Sequence, residues 1–323
     1  MADDFDQHVP QQSETEKQQP DPVSPNNPLR MGIVGHGFVG KAVDYAFSTD
    51  NVKKMIVDPK YNENSINDLC DFEPNCVFIC APTPSKEDGS IDSSLVEDAV
   101  MRLVNRTEAF IIIKSTITPD VADRLAQIDS RICIAPEFLQ ERNPVDGFLS
   151  QQYRIIGISD QGAQQYVEGI FNSFSICDPS QFIPMTAVEA AFYKYAVNTY
   201  LAMKVTYMNQ LKQLVTEFGG SFINLSRTLK AEPRFGSSHM RVPGIDGKEG
   251  FGGSCFPKDL AAFIKFADNK TDIDLTLLKQ VQNINNEIRS QYDLDEREKE
   301  QNVNYGQAKE EQQDKDDGNS KSK

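Results

Sequence analysis

Histidine is scarce in this chain: three in 323 residues, at His8, His36 and His239. That excludes a histidine-rich metal centre and argues against histidine-assisted hydride transfer, so acid and base work falls to Lys, Asp, Glu or Asn. The six cysteines (Cys70, Cys76, Cys80, Cys133, Cys177 and Cys255) form no CxxC or other metal-ligand spacing, so no metal is expected. Several sit in apolar runs such as Cys76–Cys80, where cysteine acts as a small core residue. A reducing cytoplasmic compartment follows, the host's if the chain is viral. No apolar run reaches membrane-spanning length and no signal region opens the chain, so no membrane partner is expected. A basic stripe is lacking too. The net charge is −15, but residues 1–29 hold six acids against one base and residues 293–323 ten against six. Most of the acidity therefore belongs to solvated ends, and nucleic acid is not an expected partner.

What is present is an alternation of short apolar runs with helical patterns. Strands are predicted at 29–34, 54–57, 76–80, 110–113, 131–134 and 154–157, with helices following most of them. From Ala187 to Phe218 apolar residues recur at helical spacing, and later segments (221–229, 257–267, 274–292) are also helical. The expected fold is α/β: a tail over 1–28, a doubly wound, mostly parallel Rossmann sheet over 29–184, a helical central domain with one long helix over 185–292, and a disordered acidic tail over 293–323. The long helix is apolar on more than one side (Tyr193, Tyr195, Tyr200, Met203, Tyr207, Met208), so it needs a second surface to cover it.

Gly35, Gly37 and Gly40 spell GxGxxG between the first strand and its helix, which starts at Phe38 and Val39. The first glycine permits the turn, the second lets a pyrophosphate approach the backbone, and the third lets helix pack on strand. Asp58 ends the next strand, where a carboxylate can accept hydrogen bonds from ribose hydroxyls and would repel a 2′-phosphate. The cofactor expected is NAD.

The second notable segment is Gly250-Phe251-Gly252-Gly253-Ser254-Cys255-Phe256-Pro257-Lys258-Asp259. Glycines allow close approach to a thiol, and Lys258 can favour its thiolate. The plain alternative is a glycine-rich turn with a half-buried cysteine. Together with the dinucleotide signature, the segment suggests oxidation through a covalent cysteine intermediate.

Five segments, in order, carry a likeness: Gly35–Gly40, Ala81-Pro82-Thr83-Pro84, Lys114-Ser115-Thr116, Pro136-Glu137-Phe138-Leu139-Gln140-Glu141 and Lys194-Tyr195-Ala196-Val197-Asn198. With the cysteine block they resemble the nucleotide-sugar dehydrogenases, the UDP-glucose/GDP-mannose dehydrogenase family. The resemblance implies a four-electron oxidation of a sugar C6 alcohol to a carboxylate with two NAD, UDP-glucose to UDP-glucuronate first among the substrates. GDP-mannose and UDP-N-acetylmannosamine are the alternatives. It further implies Cys255 as nucleophile, Lys194 at the oxyanion, Asn198 and Asp259 holding water and lysine, and Glu137 as a base. Glu141 and Thr116 would lie between sugar and nicotinamide. Thr83, Ser115 and Lys258 join the cofactor contacts. Phe138, Leu139, Phe251, Gly252 and Arg234 join those of the substrate, along with Lys194 and Asn198. A homodimer built on the long helix is implied as well. Two plain alternatives remain: Lys194 and Asn198, at i and i+4, could be solvated surface, and Glu137 could serve as a cap.

The chain departs from the family pattern at Ala135, where Asn is usual, and at Arg142, where Gly is usual. Family members continue into a second nucleotide-binding domain, which residues 293–323 cannot build. The expectation is a compact version that retains the cofactor half and the thiol. The competing expectations are a binding protein without turnover and a two-electron hydroxyacid dehydrogenase that does not need Cys255.

Overall fold

The computed structural model of the protein describes residues 27–139, 142–158 and 160–306. Its first half is one seven-stranded sheet in the order β2-β1-β3-β4-β5-β6-β7. The strands are β1 (Leu29–Val34), β2 (Val52–Val57), β3 (Cys76–Ile79), β4 (Phe110–Ile113), β5 (Ile132–Ile134), β6 (Tyr153–Gly157) and β7 (Gln181–Met185). β1 to β5 are parallel, and β6 and β7 run together in the opposite sense, joined to β5 by the single pairing of Ile134 with Gly157. β7 was not among the strands expected from the sequence; Pro184 and exposed Gln181 weaken the apolar signal there.

β3 and β4 read Cys-Val-Phe-Ile and Phe-Ile-Ile-Ile because both faces of the sheet are covered. Alternate residues serve two separate cores. Val77, Ile79, Ile111 and Ile113 face one, and Phe78, Phe110, Ile112 and Cys133 face the other. Helices α1 (Phe38–Ala46), α2 (Ile66–Asp71), α3 (Ser94–Arg106), α4 (Pro119–Ala126), α5 (Pro144–Leu149) and α6 (Gln161–Phe174) cover these faces.

α7 (Ala187–Glu217) has 31 residues, a span of about 46 Å. Thr186 and Glu189 start it with a capping box. Its first turn is part of the sheet's own core through Ala187, Ala190 and Ala191. Gly157 makes that approach possible, since a Cβ there would stand 2.6 Å from the Ala190 Cβ. Farther along, Ala202 packs with Phe251, Leu260, Ile264 and Val281 in a second core. α8 (Phe222–Leu229), α9 (Phe256–Lys270) and α10 (Thr276–Arg289) complete this helical half. One helix thus passes from the first core into the second, and the residues at the crossing, 194 to 198, lie between them.

The acidic end needs correction. Residues 295–306 are folded, with α11 (Glu296–Glu300) capped by Asp295 and with Glu298, Val303 and Tyr305 buried. Composition misled because one charge that looks solvated, Glu298, is taken inside to pair with Arg289 of α10. The rest of the expected tail, 307–323, and residues 1–26 lie outside the described residues.

Candidate active site

At the carboxyl ends of β1 and β2, Gly35 has φ +88°, and a Cβ there would meet the Cys80 carbonyl oxygen at 2.6 Å. A Cβ on Gly40 would sit 2.1 Å from the Gly35 oxygen, so strand and helix touch backbone to backbone. Around Gly37 nothing lies within 4 Å of the Cβ position. Gly37 caps α1 with no side-chain bond, which leaves the first-turn N–H groups at Phe38 and Val39 facing an open approach. Asp58 receives the backbone N–H groups of His36 (2.5 Å) and Lys60 (2.8 Å), one on each oxygen. Each oxygen keeps a lone pair for a hydroxyl, so this cradle fits a dinucleotide. The two loops beyond β3 and β4 are tied together, since Ser115 Oγ donates to the Ala81 carbonyl at 2.7 Å. Ser115 therefore shapes the loop that carries buried Thr83, and Thr116 follows it, half-buried.

Lys194 and Asn198 are both buried, on the face of α7 that crosses between the cores, which removes the solvated-surface alternative. Asn198 Nδ2 donates to Asp259 Oδ2 at 2.6 Å, and Lys258 Nζ pairs with Asp259 Oδ1 at 2.6 Å. Asp259 is 1 % exposed, so two donors compensate its desolvation. Lys258, expected at the cofactor, is committed to this carboxylate. Lys194 Nζ donates to the Glu137 carbonyl and lies 4.9 Å from the centre of the Phe138 ring. It is also close enough to Cys255 to bias the thiol electrostatically.

Cys255 caps α9 and is half-buried, with its Sγ 3.6 Å from Ser254 Oγ. Burial pushes its thiol up from the ordinary 9.0; Lys194 and Lys258 pull it down and Asp259 pushes it further up. Cys133 in β5 and Cys80 just past β3 are more inert. Burial drives both up to about 12.

Glu137 is buried as an ion pair, its Oε2 2.8 Å from Lys114 Nζ. Its Oε1 accepts from Phe138 N at 3.1 Å and from Gln151 Nε2. Burial works to raise its pKa, but Lys114, the backbone bond and Arg154 together hold it below the usual carboxylate range. Phe138 and Leu139 line a cavity of about 480 Å³ with Arg142, Asp146, Gln151 and Tyr153. Glu141 lies outside the described residues.

Two expected substrate contacts are placed elsewhere. The Phe251 ring belongs to the second core, and the Arg234 side chain is exposed and paired with Glu232 at 2.7 Å. Sequence reasoning also missed how the glycine loop is held. Asn209 of α7 accepts from Gly250 N at 3.0 Å. Asn285 of α10 both accepts from Phe251 N (2.7 Å) and donates to Phe251 O (3.0 Å), and Glu298 accepts from Gly253 N at 3.0 Å. A Cβ on Gly252 would stand 2.1 Å from Arg289 Nη2. Glycine is required there to let the arginine in.

Among the described residues no group of three or more His, Cys, Asp or Glu side chains could hold a metal, and no helix is long and apolar enough to cross a membrane.

Two family models match the chain. The UDP-glucose/GDP-mannose dehydrogenase family, NAD binding domain, matches residues 71–175, and the central domain of the same family matches residues 188–287. A UDP-glucose 6-dehydrogenase of Rickettsia felis is 31 % identical over 214 residues, 64 % of this chain and 46 % of the relative. The UDP-glucose 6-dehydrogenase YwqF of Bacillus subtilis is 28 % identical over 247 residues, 73 % of this chain and 54 % of its own length. The chain spans about half the length of the curated relatives it matches. Among solved structures, a UDP-glucose dehydrogenase from Pyrobaculum islandicum superposes with TM-score 0.68 at 22 % identity, covering 84 % of this chain and 70 % of that one. A 3-hydroxyisobutyrate dehydrogenase of Mycobacterium tuberculosis reaches 0.57 at 16 % identity, covering 79 % and 99 %. These two likenesses concern the fold.

Proposed function

Because this chain belongs to the UDP-glucose/GDP-mannose dehydrogenase family, we propose that it is an NAD-dependent nucleotide-sugar 6-dehydrogenase acting on UDP-glucose through a covalent adduct on Cys255. The observation that carries the proposal is the convergence of Lys194, Asn198, Asp259 and Cys255 where α7 crosses between the two cores.

Gly35, Gly37 and Gly40, the first turn of α1 and Asp58 would hold NAD, which supplies the acceptance of hydride when bound. The remaining work belongs to the chain. The C6 alcohol must lose a proton as it becomes an aldehyde, and Cys255 Sγ then adds to that aldehyde carbon. The Lys194 ammonium, already fixed by the Glu137 carbonyl, faces the oxygen that becomes negative in the adduct. Oxidation of the thiohemiacetal gives a thioester, which water cleaves to the carboxylate, releasing the thiol. Asn198 and Asp259 would orient that water. Glu137, an ionised carboxylate, could accept a proton only by giving up part of its bond with Lys114. Thr116 would stand beside the reacting carbon.

The test is the yield of NADH per UDP-glucose, followed by absorbance. Two per sugar support the reading. One per sugar replaces it with a simple alcohol oxidation, and turnover only with GDP-mannose or UDP-N-acetylmannosamine keeps the mechanism and changes the substrate.

The proposal extends to a homodimer in the cytoplasm. Tyr200, Tyr207 and Leu214 of α7, with Phe218 and Ile223 beyond it, are each more than half exposed. Sedimentation equilibrium should give twice the chain mass; a monomer at micromolar concentration rejects this part. All six cysteines are free, as a reducing compartment requires.

A further inference from the structure

The folded end of the chain touches both halves of the candidate site. Glu298, fully buried, places Oε1 against three donors: Gly253 N at 3.0 Å, Arg289 Nη2 at 2.9 Å and Tyr305 OH at 2.8 Å. Its Oε2 accepts from Asp295 N at 2.8 Å. Arg289 is itself forked, its Nη1 bonded to Asp246 Oδ2 at 2.7 Å, in the loop that leads to the cysteine block. Three residues past Glu298 the chain reaches the other half. Ser85, next to the Pro82-Thr83-Pro84 loop after β3, donates its N–H to the Gln301 carbonyl at 3.0 Å, and Asn302 Nδ2 donates to the Ser85 carbonyl at 3.2 Å. Val303 and Tyr305 are buried beyond this junction. An exposed pair, Lys60 with Glu300 at 3.0 Å, adds a third tether near Asp58 and contributes little.

We propose that residues 295–306 clasp the thiol loop to the cofactor-binding half, and that Glu298 is the positioning residue that fixes Cys255 relative to the cofactor loops. The argument is one of bond ownership. The glycine loop has no strand partner to set its height above the sheet. Asn209 and Asn285 fix Gly250 and Phe251 to helices of the central half alone. Gly253, two residues before the thiol, is fixed instead to a carboxylate whose own segment is bonded to Ser85. Alongside the packing of α7 and α9 on the first half, Glu298, Gln301 and Asn302 thus form a hydrogen-bonded path from the thiol loop to the cofactor loop. A buried carboxylate suits this task because its hydrogen bonds are charge-assisted, and because losing it would leave four donors uncompensated.

The inference rests on the dehydrogenase reading for its kinetic consequence but not for its structural one, and the experiment separates the two. Full-length protein with Glu298→Gln is compared with unchanged protein and with Tyr305→Phe. The first readout is the rate at which iodoacetamide alkylates Cys255, followed by peptide mass spectrometry. In Glu298→Gln, Arg289 loses its charged partner, and the amide nitrogen opposes either the Asp295 N–H or the three donors on Oε1, so the loop loosens, and alkylation is expected to rise about tenfold. Tyr305→Phe should move it the same way by a smaller factor. In turnover, kcat is expected to fall by about 10- to 100-fold while the KM for NAD stays within about threefold. A general loss of folded protein would raise alkylation of the buried Cys76 and Cys133 as well, whereas a loosened loop raises that of Cys255 alone. The unchanged protein supplies a third measurement, since the amides of Gly253, Ser85 and Val303 should be protected from hydrogen exchange to within about threefold of one another, as members of one opening unit. Wild-type alkylation rates in both folded variants overturn the proposal, as does exchange of Ser85 independently of Gly253. If Glu298→Gln does not fold, Tyr305→Phe and the exchange data decide. If the unchanged protein oxidises no nucleotide sugar, alkylation and exchange still judge the clasp, and the dehydrogenase reading is what falls.

Discussion

Replacing Cys255 with alanine is expected to lower NADH production by about a thousandfold or more, with NAD affinity changed by no more than about twofold. The two effects separate because they belong to different halves of the molecule. The dinucleotide cradle is built at the ends of β1 and β2, whereas the thiol caps α9. Without sulfur the aldehyde has no covalent partner, so the second oxidation loses its substrate even where the first survives. Isothermal titration with NAD and absorbance at saturating UDP-glucose measure the two sides. A Cys255→Ala protein that keeps its rate and still gives two NADH per substrate would remove the covalent role. Thiol titration provides a companion observation. Because burial raises the Cys255 thiol above 9.0, its alkylation should climb with pH through 9 without levelling off below it. Cys76 and Cys133, shut inside the sheet and raised further, should remain silent in the folded protein.

The largest loss of stability is expected from Lys114→Met. Lys114 and Glu137 are almost fully enclosed, 2.8 Å apart. Removing the lysine strands a carboxylate among Cys80, Phe148 and the strand ends, at a cost of about 3–5 kcal/mol measured by urea unfolding at pH 8. Lys114→Met with Glu137→Gln should recover most of it, since no charge is then left without a partner. The pH dependence has a definite sign. In the unchanged protein Glu137 lies below its unfolded value of about 4.5, so its stabilisation is full above that value and is lost as pH falls through the lower folded pKa. In Lys114→Met the folded pKa moves up instead. The penalty is then present above it and is relieved as pH falls toward 4.5, so the gap between variant and wild type should narrow from pH 8 to pH 5. A constant gap would mean that the lysine acts by packing against Phe148 and not by charge.

Much of the architecture could be read from the sequence because its causes are local. Gly35, Gly37 and Gly40 announce a turn that only glycine can make, and Asp58 follows at the end of the next apolar run. The cysteine block is equally conspicuous. What escaped is long-range. Nothing near Asn209, Asn285 or Glu298 says that each will hold the glycine loop, since their bonds span 41, 34 and 45 positions. Phe251 was expected at the substrate from the family resemblance, yet an aromatic ring beside an apolar helix gains more by entering the core. The end of the chain was misjudged by composition alone. Ten acids among thirty-one residues look like solvent-exposed charge until Arg289 is found beneath one of them.

The manner in which the glycine loop is held also bears on its portability. A decapeptide from Gly250 to Asp259 contains the thiol, the lysine and the aspartate, yet none of the acceptors that give it shape. Transplanted to another scaffold, it would carry the reactive atom without its geometry. Drift in the loop is correspondingly constrained from outside: Gly252 cannot gain a side chain while Arg289 remains, and Arg289 cannot be lost while Asp246 and Glu298 face it. The unit on which selection acts is thus a set of residues scattered from 209 to 298, of which the glycine–cysteine string is only the visible part.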